Sequence, residues 1–99
     1  MKSDVATKSQ IDYTSSFKKQ FRKAIRQGKD LKKFEHVIHH LANGEELEEK
    51  YRDHNLQDNK YYKNCRECHI EPDWLLVYKI ENELLILILV ATGSHSDLF

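Results

Sequence analysis

The chain is short of the residues that interrupt a fold. In 99 residues it has one proline, Pro72, and three glycines. Punctuation this sparse argues against long irregular segments and low-complexity linkers. There is one methionine, Met1, and there are only two cysteines, expected as free thiols in a reducing compartment. The longest apolar run, Leu84–Ala91, is too short to span a bilayer. With no signal-peptide pattern at the start, the expected location is the cytoplasm, with no membrane partner. Net charge is absent as well, since 16 Lys and Arg balance 16 Asp and Glu.

That balance conceals an asymmetry. Residues 1–40 hold ten Lys and Arg against four acids, a surplus of six, so residues 41–99 carry a deficit of six. A basic half attracts polyanions through its field and through counterion release; the plainer reading is a solvated helix face. Hydrophobic residues make up 39% of the chain. That supplies one modest core, so residues 1–99 are expected to form a single domain, with 1–9 loosely ordered.

Hydrophobic spacing orders the elements. Ile11–Tyr13 suits a short strand. Over Thr14–Gln27, Phe17, Phe21, Ala24 and Ile25 recur at helical spacing, with lysines and arginines between them, and Gly28 ends the pattern. Asp30 is a suitable N-cap for a second helix, whose stripe is Leu31, Phe34, Val37, Ile38 and Leu41. Asn43-Gly44 stops it. His36, His39 and His40 are expected on this helix surface. Glu45–Asn59 reads as a loop carrying His54. The period then becomes two. Tyr61–Ile70 and Asp73–Ile80 are expected strands, the second with Trp74, Leu76, Tyr78 and Ile80 on one face. After a turn at Glu81-Asn82, Glu83–Val90 reads as a central strand covered on both faces. Thr92–Phe99 is expected as a short tail. The order is that of an α+β fold with helices on one side of a sheet.

Cys65-Arg66-Glu67-Cys68-His69 spells C-x-x-C-H, a haem-attachment pattern. On a strand, however, Cys65, Glu67 and His69 face one way, and Arg66 and Cys68 the other. Two thiols on opposite faces do not clasp one cofactor. A second Cys/His pair at zinc spacing is missing, so no metal site is expected. The same alternation puts Glu67 beside His69. Asp73 and Trp74 follow closely, and His54 and His95 stand farther off in the chain. Such groups can cleave RNA without a metal. A base takes the 2′-hydroxyl proton, an acid protonates the leaving 5′-oxygen, and histidine suits both tasks near neutral pH. An aromatic side chain can stack an unpaired base.

Arg66–Tyr78, with the run Glu67-Cys68-His69-Ile70-Glu71-Pro72-Asp73-Trp74 inside it, resembles the central signature of the YafQ-type toxins of the RelE/ParE superfamily. Asp53-His54-Asn55-Leu56 resembles the upstream Asp-His-x-Leu segment of that family. Thr92–Phe99 resembles its Gly-Ser/Thr-His-x-x-Leu-Phe ending. The three motifs keep their order and spacing from about Ile11 to Phe99.

The resemblance implies a RelE-like fold: two N-terminal helices packed on a mostly antiparallel sheet of four to five strands. It implies a ribosome-dependent mRNA interferase that needs no cofactor. Its partners would be the ribosome, mRNA and a ribbon-helix-helix antitoxin like DinJ, with DNA met only through the antitoxin. Carried over by position, the catalytic residues would be His54, Glu67, His69, Asp73 and His95. The substrate-contacting aromatics would be Trp74 and Phe99. On this reading Asp73 or His69 is the base, His95 the acid, and His54 assists at the phosphate.

One position departs from the pattern. The family usually carries Arg four residues before the tail histidine, and this chain has Ala91. Arg there would neutralise the phosphate in the transition state. Three accounts stand open: a replacement that makes a toxic protein expressible, a naturally weak homologue, or another cation, Arg66 or Lys63, in its place. The competing function is that of a ParE-like gyrase-binding toxin with no nuclease activity, which has no use for the histidine set. A third is an inactive, antitoxin-binding protein.

Overall fold

The computed structural model describes residues 10–57, 59–81 and 86–99. The expected looseness of residues 1–9, Asn82 of the expected Glu81-Asn82 turn and residues 83–85 of the expected third strand therefore lie outside the described residues, whereas Glu81 ends a strand. Strand β1 (Gln10–Tyr13) leads into helix α1 (Ser15–Arg26) and helix α2 (Leu31–Ala42). One 3₁₀ turn (Glu49–Tyr51) precedes the two-residue strand β2 (His54–Asn55). Strands β3 (Arg66–Glu71), β4 (Trp74–Glu81) and β5 (Ile86–Gly93) follow, and helix α3 (His95–Leu98) closes the chain. The sheet order is β1-β5-β4-β3-β2, with β1 parallel to β5 and every other pair antiparallel.

The helices start where short polar side chains satisfy their free N–H groups. The peptide nitrogen of Phe17 donates to the Thr14 hydroxyl, and that of Lys32 donates to the Asp30 carboxylate. Both helices lie on one face of the sheet. There Phe17, Ala24, Val37 and Leu41 bury against Cys68, Ile70, Trp74, Leu76, Tyr78, Leu87 and Leu89. Ile25 and Leu31, expected in the apolar stripes, are 45% and 40% exposed instead. Each sits at the border of its stripe, past the reach of the sheet.

The strands differ from their expected lengths for local reasons. The strand expected at Tyr61–Ile70 begins only at Arg66. Before it, the Asn59 side chain accepts the peptide N–H groups of Tyr61 and Tyr62, a local bond that competes with a ladder. The loop at Glu45–Asn59 contains the 3₁₀ turn and β2. The strand buried on both faces is β4, whose residues Trp74–Tyr78 are all buried, because it lies at the centre of the sheet. On β5, Ile86, Ile88 and Val90 are only half-buried. The tail is shorter than expected, since Thr92 and Gly93 belong to β5 and His95–Leu98 are helical.

A register shift in β5 turns the end of that strand over. Val77 faces Ala91 and Tyr78 faces Leu89, so Val90 is an extra residue on one side of the ladder. Leu87, Leu89 and Thr92 all look toward the helices, while Val90 and Ala91 look away. Thr14 holds the bulge in place: its peptide nitrogen donates to the Leu89 carbonyl and its hydroxyl to the Val90 carbonyl.

At the other edge a polar knot pins β2 to the sheet. Asp53 accepts from the Arg66 guanidinium through both carboxylate oxygens and from the Tyr78 hydroxyl, and Arg66 also donates to the Asn55 side chain. Burial, then the Asp53 bond, push the Tyr78 hydroxyl above the ordinary tyrosine range. Replacing Asp53 with Ala strands the guanidinium and the hydroxyl. The Asp53 and Arg66 side chains are 22% and 35% exposed, which moderates the loss. We expect the variant to lose about 2 kcal/mol of stability, read as a lower urea midpoint at an unchanged m-value.

Candidate active site on the open face of the sheet

The face away from the helices gathers His54, Glu67 and His69. In one row across the sheet, His54 on β2 pairs with Glu67 on β3, Glu67 with Val77 on β4, and Val77 with Ala91 on β5. A second row runs His69, Leu75, Gly93. Two strand spacings, about 10 Å, separate the ends of that row.

Glu67 is the hub of the histidine pair. Its side chain is 8% exposed, and its Oε1 lies 3.4 Å from His54 Nε2 and 3.8 Å from His69 Nε2. Both rings have their other nitrogen committed. His54 Nδ1 is 2.7 Å from the Arg52 carbonyl, and His69 Nδ1 is 3.2 Å from the Pro72 carbonyl. A carbonyl only accepts, so each Nδ1 carries a proton and donates it. The proton that comes and goes is therefore the one on Nε2, the nitrogen beside Glu67. Both separations to Glu67 exceed a hydrogen bond.

The tail is brought up against the β3–β4 turn. The His95 peptide nitrogen donates to Asp73 Oδ1 over 3.2 Å. Ser94 and Asp97 form a reciprocal cap, with the Asp97 peptide N–H on the Ser94 hydroxyl and the Ser94 peptide N–H on the Asp97 carboxylate. These bonds from Ser94 hold the Asp97 carboxyl below its ordinary range. Gly93 permits the close return, for a Cβ there would meet Asp97 Cβ at 3.1 Å. The Phe99 ring, 43% exposed, lies 5.3 Å from the His95 ring and edge-on to Tyr62 at 5.5 Å. The Tyr62 hydroxyl donates to the Leu98 carbonyl.

The expected site residues therefore sort into groups. His54, Glu67 and His69 come together directly. Asp73, His95 and Phe99 form a second group at the Gly93 end of the sheet. Trp74 does not present a base platform: it is 1% exposed, packed on Phe34, and its Nε1 donates to the Thr92 hydroxyl. Replacing Trp74 with Phe removes that bond, so we expect a stability loss of about 1 kcal/mol and an unchanged KM for RNA. A KM rise at unchanged melting temperature would restore the stacking role.

Neither cation proposed in place of the missing arginine is delivered to the site. Arg66 points to the helix side, where Asp53, Asn55 and Tyr78 hold it. Lys63 lies in the loop before β3, lining a separate hollow with Asn55, Asn59 and Lys60. Around Ala91 the open face is apolar: Cys65, Leu75, Val77 and Leu98 surround it, and it is 2% exposed. His36 and His39 are exposed on α2 as expected, and His40 Nδ1 donates to the His36 carbonyl. The thiols of Cys65 and Cys68 are buried, free and raised above their ordinary range by that burial. Among the described residues no group of three or more His, Cys, Asp or Glu is arranged to hold a metal.

Periodicity did not reveal Arg52, whose carbonyl orients His54, or Tyr62, which buttresses Phe99. Arg52 adopts a left-handed backbone at φ 50°, a conformation that composition does not signal. Asp53 alone had a signal, as the neighbour of His54 in the upstream motif.

A helix-backed five-stranded sheet with histidines and carboxylates on its open face has the architecture of the RelE-like toxins. A family model described as "Bacterial toxin of type II toxin-antitoxin system, YafQ" matches residues 9–99. The chain belongs to this family. It is 36% identical over 90 residues to the mRNA interferase toxin YafQ of Escherichia coli strain K12, covering 90% of this chain and 94% of that protein. Its fold superimposes with a TM-score of 0.85 on a metal-bound toxin from Helicobacter pylori, at 41% identity over 92% of this chain and 99% of that one. It also matches a chain of the E. coli DinJ–YafQ toxin–antitoxin complex, with a TM-score of 0.81 and 33% identity over 93% and 98% of the two chains. Among the described residues no helix is long and apolar enough to cross a membrane.

Proposed function

We propose that this toxin is an endoribonuclease that cuts mRNA in the decoding site of the ribosome, acting in the cytoplasm. The observation that carries the reading is the pair of histidines whose Nδ1 atoms are fixed by carbonyls while both Nε2 atoms meet the Glu67 carboxylate. In the proposed step, His69 Nε2 takes the proton from the 2′-hydroxyl, and the 2′-oxygen attacks the adjacent phosphorus. The P–O5′ bond breaks as His95 delivers a proton to the leaving oxygen, and a 2′,3′-cyclic phosphate remains. Protonated His54, paired with Glu67, offsets charge on the phosphate. Asp73 holds the tail by accepting the His95 N–H, and Phe99 stacks a base beside the cut.

The partner that restrains the toxin is a cognate antitoxin of the ribbon-helix-helix class, akin to the DinJ of the solved complex. The toxin meets DNA only through it. The deciding experiment is primer extension on a defined mRNA, with and without ribosomes. Cuts only with ribosomes support the proposal. Absence of cuts in both, for the parent and for a variant with Arg at position 91, overturns it.

A further inference from the structure

Strand β2 is too short to cover its neighbour. It pairs only with Arg66 and Glu67, so among the described residues the outer edge of β3 from His69 to Glu71 has no strand beside it. The space between that edge, the 3₁₀ turn and the start of α2 is a cavity of about 470 Å³. Its cationic lining is Lys33, Lys50 and Arg52, and its apolar wall is Tyr51, Ile70 and Pro72. Lys33 is already paired with Glu71 at 3.1 Å, and the Lys50 ammonium lies 5.3 Å above the Tyr51 ring. Arg52 is exposed, and no ion pair to it occurs among the described residues. Its left-handed backbone sends its carbonyl to His54 and its side chain to the cavity. His69, whose Nδ1 donates to the Pro72 carbonyl, forms part of the lining.

Cations over an apolar wall, in a hollow of a few hundred Å³, suit an anion that carries a flat ring. We propose that this cavity is a nucleotide subsite for single-stranded RNA, occupied by the nucleotide that adjoins the scissile phosphate on the His69 side. Its phosphate lies between Lys50 and Arg52, and its base rests on Pro72. The inference builds on the nuclease reading, because the subsite abuts the proposed base, His69. It adds a binding step that the histidines do not supply.

The test is fluorescence anisotropy with a labelled RNA oligomer, made uncleavable by 2′-O-methyl substitution at every nucleotide that precedes a phosphodiester. The full chain is compared with a Lys50→Ala/Arg52→Ala double variant. The control is Lys18→Ala/Lys19→Ala, which removes the same charge from the exposed side of α1. All four residues are exposed, and thermal melts verify folding. The cavity pair is expected to weaken binding about tenfold and to lower the salt slope by about one, whereas the control weakens it no more than about twofold. Equal losses in the two pairs, no loss in the cavity pair, or no binding by the parent overturn the proposal. The readout is binding without cleavage. A parent that binds through the cavity but never cuts mRNA on ribosomes refutes the nuclease reading alone. A parent that cuts but binds equally with either pair refutes the subsite alone.

Discussion

Replacing Ala91 with Arg is expected to raise ribosome-dependent cleavage by about 10²-fold or more, the magnitude associated with one donor at a developing oxyanion. The reason is positional. Ala91 ends the row that begins at His54 and Glu67, and its Cβ points to the open face. The two candidate substitutes are held elsewhere, Arg66 by Asp53 and Lys63 in its loop. A phosphate bound as proposed is left with His54 as the one cation of that row, and an imidazole carries charge only when protonated. The gain has a cost in packing. Ala91 is buried under Leu98, so a guanidinium must emerge past that side chain, at a stability cost of about 1–3 kcal/mol. Activity should therefore rise while the melting temperature falls. Ala91→Met, which adds bulk without charge, should show the fall alone. Unchanged cleavage in A91R would mean that position 91 has no part in the chemistry.

The second large effect is expected at His69. In the A91R background, where cleavage is easier to follow, His69→Ala should lower the rate by about 10²–10⁴-fold, the usual contribution of one general base. It should also remove the limb of the pH–rate profile on which the rate rises as the base loses its proton. His36→Ala, an imidazole removed from the exposed face of α2, serves as the comparison and should leave the profile unchanged. Retention of the limb in His69→Ala would transfer the base role to another group, with Asp73 the next candidate. His69 is only 21% exposed at its side chain and donates to the Pro72 carbonyl, so a thermal melt of the variant accompanies the assay. That separates a catalytic effect from unfolding.

Much of this was legible in advance because period-two and period-3.6 patterns respond to one partition, apolar inside and polar outside. The stripe of Trp74, Leu76, Tyr78 and Ile80 does face the helices, and both helices run within a few residues of their expected bounds. The alternation that separates Glu67 and His69 from Arg66 and Cys68 is also present. What was not legible depended on contacts between distant segments. Trp74 has the composition of a base platform, but Phe34 and Thr92 enclose it. Arg66 sits next to Glu67 in sequence and on the opposite side of the sheet, which puts it out of reach of the phosphate. Asn59 cut the first expected strand short through two side-chain bonds that no periodicity registers. Arg52 contributes through its carbonyl, an atom every residue possesses.

The extra residue in β5 has a further consequence. Counted by parity from Leu87 and Leu89, residue 91 belongs among the helices; it lies on the open face because Val90 and Ala91 together take up one place in the ladder. If Val90 were deleted, simple alternation would still leave Leu89 inward, Ala91 outward and Thr92 inward. The strand thus contains two phases of the same repeat, one serving the core and one serving the site, joined by a single residue. Substitutions that repack Leu87 and Leu89 are thereby decoupled in phase from those that alter position 91. The Thr14 hydroxyl, bonded to the carbonyl of the joining residue, is the clasp between the two.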